Sequence, residues 1–120
     1  AIVLDSGVSL ECIMYGANAV PPHPCWGSVA DASGKSALAP DLMVLEASTP
    51  WTDPSTNTTF NTVHRLASKA HGLDLTLRTR ALDNFVPGFL LPYYEGVSTV
   101  TGTGPGGVAV TGHGVTERVM

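Results

Sequence analysis

The sequence predicts an all-β fold, an antiparallel up-and-down β-barrel of about eight short strands in a single domain. Apolar and polar residues alternate with a period of two in successive segments, and turn residues separate these segments at intervals of about 8–15 residues. No segment has helical periodicity, and 13 glycines and 9 prolines in 120 residues disfavour a helical bundle. Sequential hairpins with short turns favour closure, because a closed barrel leaves no strand edge exposed.

The strands follow one another in chain order, beginning with an apolar run that ends at the turn Asp5-Ser6-Gly7. Prolines at positions 21, 22 and 24 exclude a central strand between residues 18 and 24. Residues 48–54 are predicted to be a proline-bounded crossing loop, and residues 83–92 an apolar loop that covers the barrel as a flap. Predicted strands cover residues 2–4, 8–15, 26–32, 42–47, 61–67, 73–80, 97–102 and 108–115.

The last two strands form a hairpin around a Gly/Pro turn at residues 104–107. Glycines also lie within the hairpin, at positions 96, 102, 112 and 114. Because glycine weakens an ordinary strand, this number of glycines indicates bulges, tight corners or close approach of neighbouring backbones. The hairpin is therefore predicted to be the corner at which the barrel closes.

The composition excludes several kinds of partner and site. Six basic residues are spread along a chain of net charge −4, so we expect no nucleic-acid partner. No apolar run approaches the roughly 20 residues that span a bilayer. The four histidines and two cysteines lack metal-binding spacing, and neither a phosphate loop nor a nucleophile elbow occurs. We therefore expect no metal and no cofactor.

Cellular location and redox state are left open by the sequence. No secretory signal is visible, which favours a cytoplasmic protein. The glycosylation sequon Asn57-Thr58-Thr59 is weak support for the alternative, a secreted protein. The chain begins at Ala1 without a methionine, so we expect an upstream part that is missing or cleaved. Cys12 and Cys25 form either one disulfide or two buried thiols.

Three segments of the chain together resemble the carotenoid 1,2-hydratase and AttH-like group of lipocalin-type proteins. This group also includes kievitone hydratase and the fungal lipocalin-like Diels–Alderases. The order and spacing of the segments match the group over nearly the whole chain. The segments are Leu4-Asp5-Ser6-Gly7 with Leu10 and Met14-Tyr15; Trp51-Thr52-Asp53-Pro54 with Thr56, Phe60 and Gly72-Leu73-Asp74-Leu75; and Tyr94-Glu95-Gly96 with Val100-Thr101-Gly102, Gly107, Val110-Thr111-Gly112-His113-Gly114 and Glu117.

This resemblance implies a calycin-type barrel, usually one of two in tandem with a ligand pocket near their junction. It identifies residues 1–120 as a single barrel and as the C-terminal half of a two-barrel protein. The implied partners are a small hydrophobic substrate and an N-terminal barrel, carried on the same or a companion chain.

The resemblance also implies an enzyme of secondary metabolism. We expect a Diels–Alderase-like cyclase or related lyase that acts on a hydrophobic polyene, terpenoid or polyketide intermediate. A pericyclic reaction needs mainly orientation and one hydrogen-bond donor, which fits a chain without an obvious nucleophile. One alternative is a hydratase that adds water to an isoprenoid or isoflavonoid double bond; another is a non-catalytic barrel that binds a small hydrophobic ligand.

The candidate catalytic residues are Glu95, Arg78 and His64. Glu95 belongs to the most family-like motif, and aromatic neighbours would raise its pKa enough for it to donate a proton; a structural ion pair is the alternative. Arg78 points into the pocket if Leu73, Leu75 and Leu77 face outward, and it is a solvated charge if they fill the barrel. His64 is either an inward proton carrier or a half-exposed strand residue.

Aromatic residues are the candidates for binding substrate. Trp51 either caps the barrel mouth or stacks on the substrate. Tyr94 belongs to the same motif as Glu95, and the other two candidates are Trp26 and Phe89.

Overall fold

A computed structural model describes residues 1–13, 20–80, 85–86 and 93–119. In these ranges the chain forms eleven β-strands, and a 3₁₀ turn at Pro105–Gly107 joins the last two. The strands are β1 (Ile2–Leu4), β2 (Ser9–Ile13), β3 (His23–Pro24), β4 (Trp26–Ala30), β5 (Ser36–Leu38), β6 (Met43–Thr52), β7 (Thr59–Ser68), β8 (Leu73–Thr79), β9 (Phe85–Val86), β10 (Tyr93–Thr103) and β11 (Ala109–Val119).

All strands belong to one curled antiparallel sheet of order β3-β6-β7-β8-β10-β11-β1-β2-β4-β5, with β9 pairing β10. The first strand pairs with the last, and only Cys25 separates β3 from β4. The Cys25 N–H donates to the Leu42 carbonyl oxygen, and the Ala39 N–H donates to that of Gly27, both at 3.0 Å. The first strand of the sheet order, β3, is therefore joined through Cys25 to β4, the strand next to the other end, so that the sheet curls round on itself.

The predicted all-β antiparallel class is confirmed, whereas the strand number and one loop differ from the prediction. The additional strands β3, β5 and β9 have two, three and two residues. Residues 48–52 are not a crossing loop, because β6 continues through them and pairs with β7 as far as Thr52↔Thr59. A register shift between Val44 and Glu46 helps the long strand to bend. Most of the predicted flap, residues 83–92, lies outside the described residues.

The inner face of the sheet follows the predicted alternation. On β8 the leucines are buried and the residues between them are more exposed, and β7 alternates in the same way. The aliphatic core occupies the half of the barrel that contains the tight turns at residues 5–8, 31–35, 69–72 and 104–108. Its largest fully buried members are Leu42, Val44, Leu75 and Val100.

Glycines on β10 and β11 allow neighbouring strands to approach closely. A Cβ on Gly112 would meet the Val3 carbonyl oxygen and would lie 2.9 Å from Leu4 Cα. A Cβ on Gly102 would meet the Asp74 carbonyl oxygen in the same way. Of the three features expected of the glycine-rich hairpin, close backbone approach is found at the β1–β11 and β8–β10 seams.

A disulfide joins Cys12 on β2 to Cys25, with Cα atoms 5.5 Å apart. It closes a loop of sequence separation 13 and ties β2 to the β3–β4 junction. Of the two states that the sequence left open, the structure has the disulfide.

Replacing both cysteines with serine is expected to lower the free energy of unfolding by about 3 kcal/mol, because the open loop regains conformational entropy in the unfolded chain. Urea denaturation of the full-length protein measures this loss. Reducing the unmutated protein should reproduce it, and an unchanged transition under both conditions would show that the bridge contributes no stability.

Candidate functional site

A belt of polar side chains crosses the inner face of the barrel beyond the aliphatic core. Its members come from four strands that are adjacent in the sheet. Ser98 is fully buried, and Thr62 and His64 are each 7% exposed. Polar groups that face a barrel interior must bind each other, the protein or a ligand. The belt consists of Thr62, His64, Thr79, Ser98 and Thr116.

Three hydroxyl groups of this belt form a closed ring, which we call the hydroxyl ring. The Thr79 hydroxyl donates to Thr116 Oγ1 at 3.2 Å. Thr116 and Ser98 share a hydrogen bond of 2.7 Å, and Ser98 and Thr79 share one of 2.8 Å. Because Thr79 donates to Thr116, the ring closes if Thr116 donates to Ser98 and Ser98 donates to Thr79. Each hydroxyl then donates once and accepts once.

His64 lies beside the hydroxyl ring on the inner face. It is opposite Leu77 in the β7–β8 pairing, and Thr79 is two residues farther along β8. Residues diagonal in this way have Cβ atoms about 7–8 Å apart, within reach of an imidazole. Burial and alternation with Leu66 place the imidazole inside the barrel. The belt therefore combines a group able to transfer protons with three hydroxyls.

Aromatic side chains form a cluster between the polar belt and the end of the barrel opposite the tight turns. The Phe60 ring centroid lies 5.4 Å from that of Trp51 and 5.3 Å from that of Tyr94, with tilted planes in both pairs. Trp51 lies on β6 directly opposite Phe60 on β7. The cluster thus brings together two of the family-like motifs, which are separated by about 40 residues in the sequence.

Asp53 anchors this cluster from the β6–β7 turn. Its carboxylate accepts hydrogen bonds from the Ser55 N–H at 2.9 Å, the Ser55 hydroxyl at 2.8 Å and the Thr56 hydroxyl at 3.1 Å. These donors, above all the Ser55 N–H, lower the pKa of Asp53. Such a carboxylate stabilises the fold above its ordinary pKa, and this stabilisation is lost as the pH falls through the lowered value. Asp53 is therefore a turn anchor that stays ionised near neutral pH and carries no proton to donate.

Tyr94 connects the aromatic cluster to this anchor. Its hydroxyl shares a hydrogen bond with Thr56 Oγ1, and it also helps to lower the pKa of Asp53. Tyr94 is buried, so its hydroxyl cannot exchange this partner for bulk water.

Replacing Tyr94 with phenylalanine is expected to lower the free energy of unfolding by about 1–2 kcal/mol, because Thr56 loses a buried partner. Urea denaturation of the full-length protein measures the change. Thr56→Val should cost a similar amount and Thr56→Ser much less. Equal stability of the two Thr56 variants would contradict the assigned role of the hydroxyls.

Two of the three candidate catalytic residues lie away from the belt. Arg78 is exposed on the outer face, where its Nη1 lies 3.4 Å from Thr101 Oγ1. Glu95 is exposed on β10 opposite Glu117. The leucines of β8 fill the interior, which is the arrangement that leaves Arg78 outside. The structure thus does not bring Arg78 and Glu95 together with His64, and their participation in catalysis stays a prediction.

Two of the four candidate substrate-binding residues lie on the inner face of the barrel. Trp51 and Tyr94 belong to the aromatic cluster on the inner face. Trp26 is 73% exposed at the start of β4. Phe89 lies outside the described residues.

Sequence reasoning missed the hydroxyl ring. The one available signal was parity, because Ser98 and Thr79 occupy the same alternating positions as the buried residues Val100 and Leu77. A hydroxyl within an apolar face indicates a polar contact, although it does not reveal the partner.

Other kinds of site are not found in the described parts of the chain. No group of three or more His, Cys, Asp or Glu residues there could hold a metal ion. No helix there is long and apolar enough to cross a membrane. A pocket of about 310 Å³ lies at the tight-turn end, away from the belt. It is lined by Val8, Val29, Asp31, Lys35, Ala37, His71 and Pro105.

Comparison with known proteins identifies the fold. No protein-family model and no curated protein matches the sequence. Among solved structures, the chain is similar to kievitone hydratase from Nectria haematococca, with a TM-score of 0.70 and 17% sequence identity. The match covers 98% of this chain and 37% of the kievitone hydratase chain, so this chain spans little more than a third of that protein. The chain therefore has the lipocalin-like fold found in this hydratase.

Proposed function

We propose that this barrel belongs to a cofactor-independent enzyme that adds water to a double bond of a small hydrophobic molecule. The observation that carries the proposal is the polar belt, in which buried His64 lies beside the hydroxyl ring on the inner face of the barrel. Structural similarity to kievitone hydratase supports the same reaction class. We also propose that residues 1–120 work together with a second barrel.

Hydration requires a bound water, a proton donor and an apolar surface for the substrate. The water oxygen forms a bond to one alkene carbon, and a proton reaches the other carbon. An imidazole can pass a proton between the water and the substrate near neutral pH. The aromatic cluster supplies a surface on which a planar, unsaturated substrate can lie. His64 is thus the proposed proton carrier, and Trp51 is a proposed contact of the substrate.

Cyclisation remains a second proposal, favoured by one specific observation. The carboxylate of Asp53 is the one carboxylate in the described belt and cluster, and its hydrogen bonds hold its pKa low. Such a carboxylate is ionised near neutral pH, so it carries no proton with which to start a reaction by protonating an isolated alkene. A pericyclic reaction needs orientation and a hydrogen-bond donor instead, a part that the imidazole of His64 can play. The proposal places hydration first because the belt offers several groups that can hold water.

The reaction can be tested with the full-length protein and a panel of hydrophobic polyenes and prenylated phenols in water labelled with heavy oxygen. Hydration predicts a product that gains the mass of one water and carries the label. A product of unchanged mass would replace the hydratase proposal by the cyclase proposal. Saturable binding of the panel without any product would instead support a carrier.

A further inference from the structure

The hydroxyl ring has capacity to accept further hydrogen bonds but none to donate them. Three hydroxyl groups contain three protons, and the three bonds of 2.7–3.2 Å within the ring use all of them. Each oxygen has two lone pairs and accepts one bond within the ring, so one lone pair on each oxygen remains. A closed ring of this kind can accept a further hydrogen bond, but it has no proton left to donate.

The position of the ring makes this capacity relevant to a ligand. Ser98 is fully buried, whereas Thr79 and Thr116 are partly exposed on the inner face. Among the described residues no further side chain donates to the three oxygens. The ring lies between the aliphatic core and the aromatic cluster, so a molecule in contact with the aromatic rings would present its polar end to it.

We propose that the hydroxyl ring recognises an O–H group of the ligand, an alcohol or a phenol, and discriminates against ethers and carbonyl groups at the same position. A ligand hydroxyl donates to one of the free lone pairs without breaking the ring. An ether or ketone oxygen of the ligand would face only the lone pairs of the ring oxygens. One ring hydroxyl would have to break its bond within the ring before it could donate to that oxygen. This inference rests on the proposed function in one respect, namely that the barrel admits a small hydrophobic molecule.

Binding of 2-naphthol and of its methyl ether, 2-methoxynaphthalene, to the full-length protein tests the proposal, since the two probes share one ring system and only 2-naphthol has an O–H that can donate. Isothermal titration calorimetry should show 2-naphthol binding about 3- to 10-fold more tightly, the effect of one hydrogen bond. Equal affinities would overturn the proposal and indicate that a bound water, and not the ligand, donates to the ring. The measurement needs no turnover. A protein that prefers 2-naphthol but hydrates no substrate would therefore refute the hydratase proposal and leave the proposed role of the hydroxyl ring intact.

The Ser98→Ala variant gives the sharper result. Without Ser98 Oγ, the Thr79–Thr116 bond remains and the Thr116 proton becomes available to the ligand. The preference for 2-naphthol should therefore disappear or reverse. Ser48→Ala, on the exposed face of β6, is the matched control and should keep the preference. If Ser98→Ala does not fold, Thr116→Val opens the ring at similar volume, and an unchanged preference in that variant contradicts the proposal.

Discussion

Replacing His64 with glutamine in the full-length protein is expected to lower kcat by about 10²–10⁴-fold, the usual contribution of a positioned acid–base group. Glutamine keeps an amide able to form hydrogen bonds at this buried position, yet it cannot carry a proton between water and substrate. The readout is the steady-state rate with the substrate identified in the labelled-water experiment. A change in kcat at nearly constant KM is expected, because the proton is transferred in the reaction and not in binding.

His113→Gln provides the matched control, since His113 is exposed on the outer face of β11. Its rate should equal that of the unmodified protein. Unaltered kinetics in His64→Gln would remove His64 from the mechanism. Arg78→Ala and Glu95→Gln belong in the same series, because the sequence predicts that each lowers turnover. A large loss of turnover in either variant, with normal folding, would indicate that the catalytic group lies on the outer face of this barrel.

Replacing Gly112 with alanine is expected to lower the free energy of unfolding by about 3 kcal/mol, at the upper end of the cost of overpacking. The new methyl group would meet the backbone of Val3 and Leu4, and neither can move unless the β1–β11 seam opens. Hydrogen exchange resolved by peptide should show faster exchange of the β1 and β11 amides than in the unmodified protein.

Gly106→Ala separates steric crowding from backbone strain. Gly106 has a φ of 77°, and a Cβ there would have no neighbour within 4 Å. Its substitution should cost about 1 kcal/mol through the left-handed conformation alone, without a change in exchange at the seam. If both variants behave alike, the glycine at position 112 is not required by the approach of β1.

Much of the strand structure could be predicted because it depends on neighbours in the chain. The alternation of Leu73, Leu75 and Leu77 was predictable, and so was the hairpin around residues 104–107. The extension of β6 through Pro50 and Trp51 was not predictable. Prolines ordinarily end a strand, and the pairing of Trp51 with Phe60 became visible only once β6 and β7 lay side by side.

The candidate site was predictable only in part. His64 could be singled out as a histidine on an alternating strand, and Trp51 and Tyr94 through their motifs. The hydroxyl ring joins Thr79, Ser98 and Thr116, whose pairwise separations in the sequence are 18, 19 and 37 residues. Such a contact depends on the register of three strands, and register is a property of the assembled sheet.

The class of the fold follows from local sequence, because period-two alternation and turn residues act over a few positions. The glycines of the last hairpin also indicated bulges, tight corners or close backbone approach, and the structure identifies close approach at Gly102 and Gly112. Which face of β8 is inside became known from the folded sheet, and with it that Arg78 lies outside and Thr79 inside. Alternation gives two faces but does not identify the buried one. The buried face is identified once the sheet curls, because residues far apart in the chain then pack against each other on its inner side.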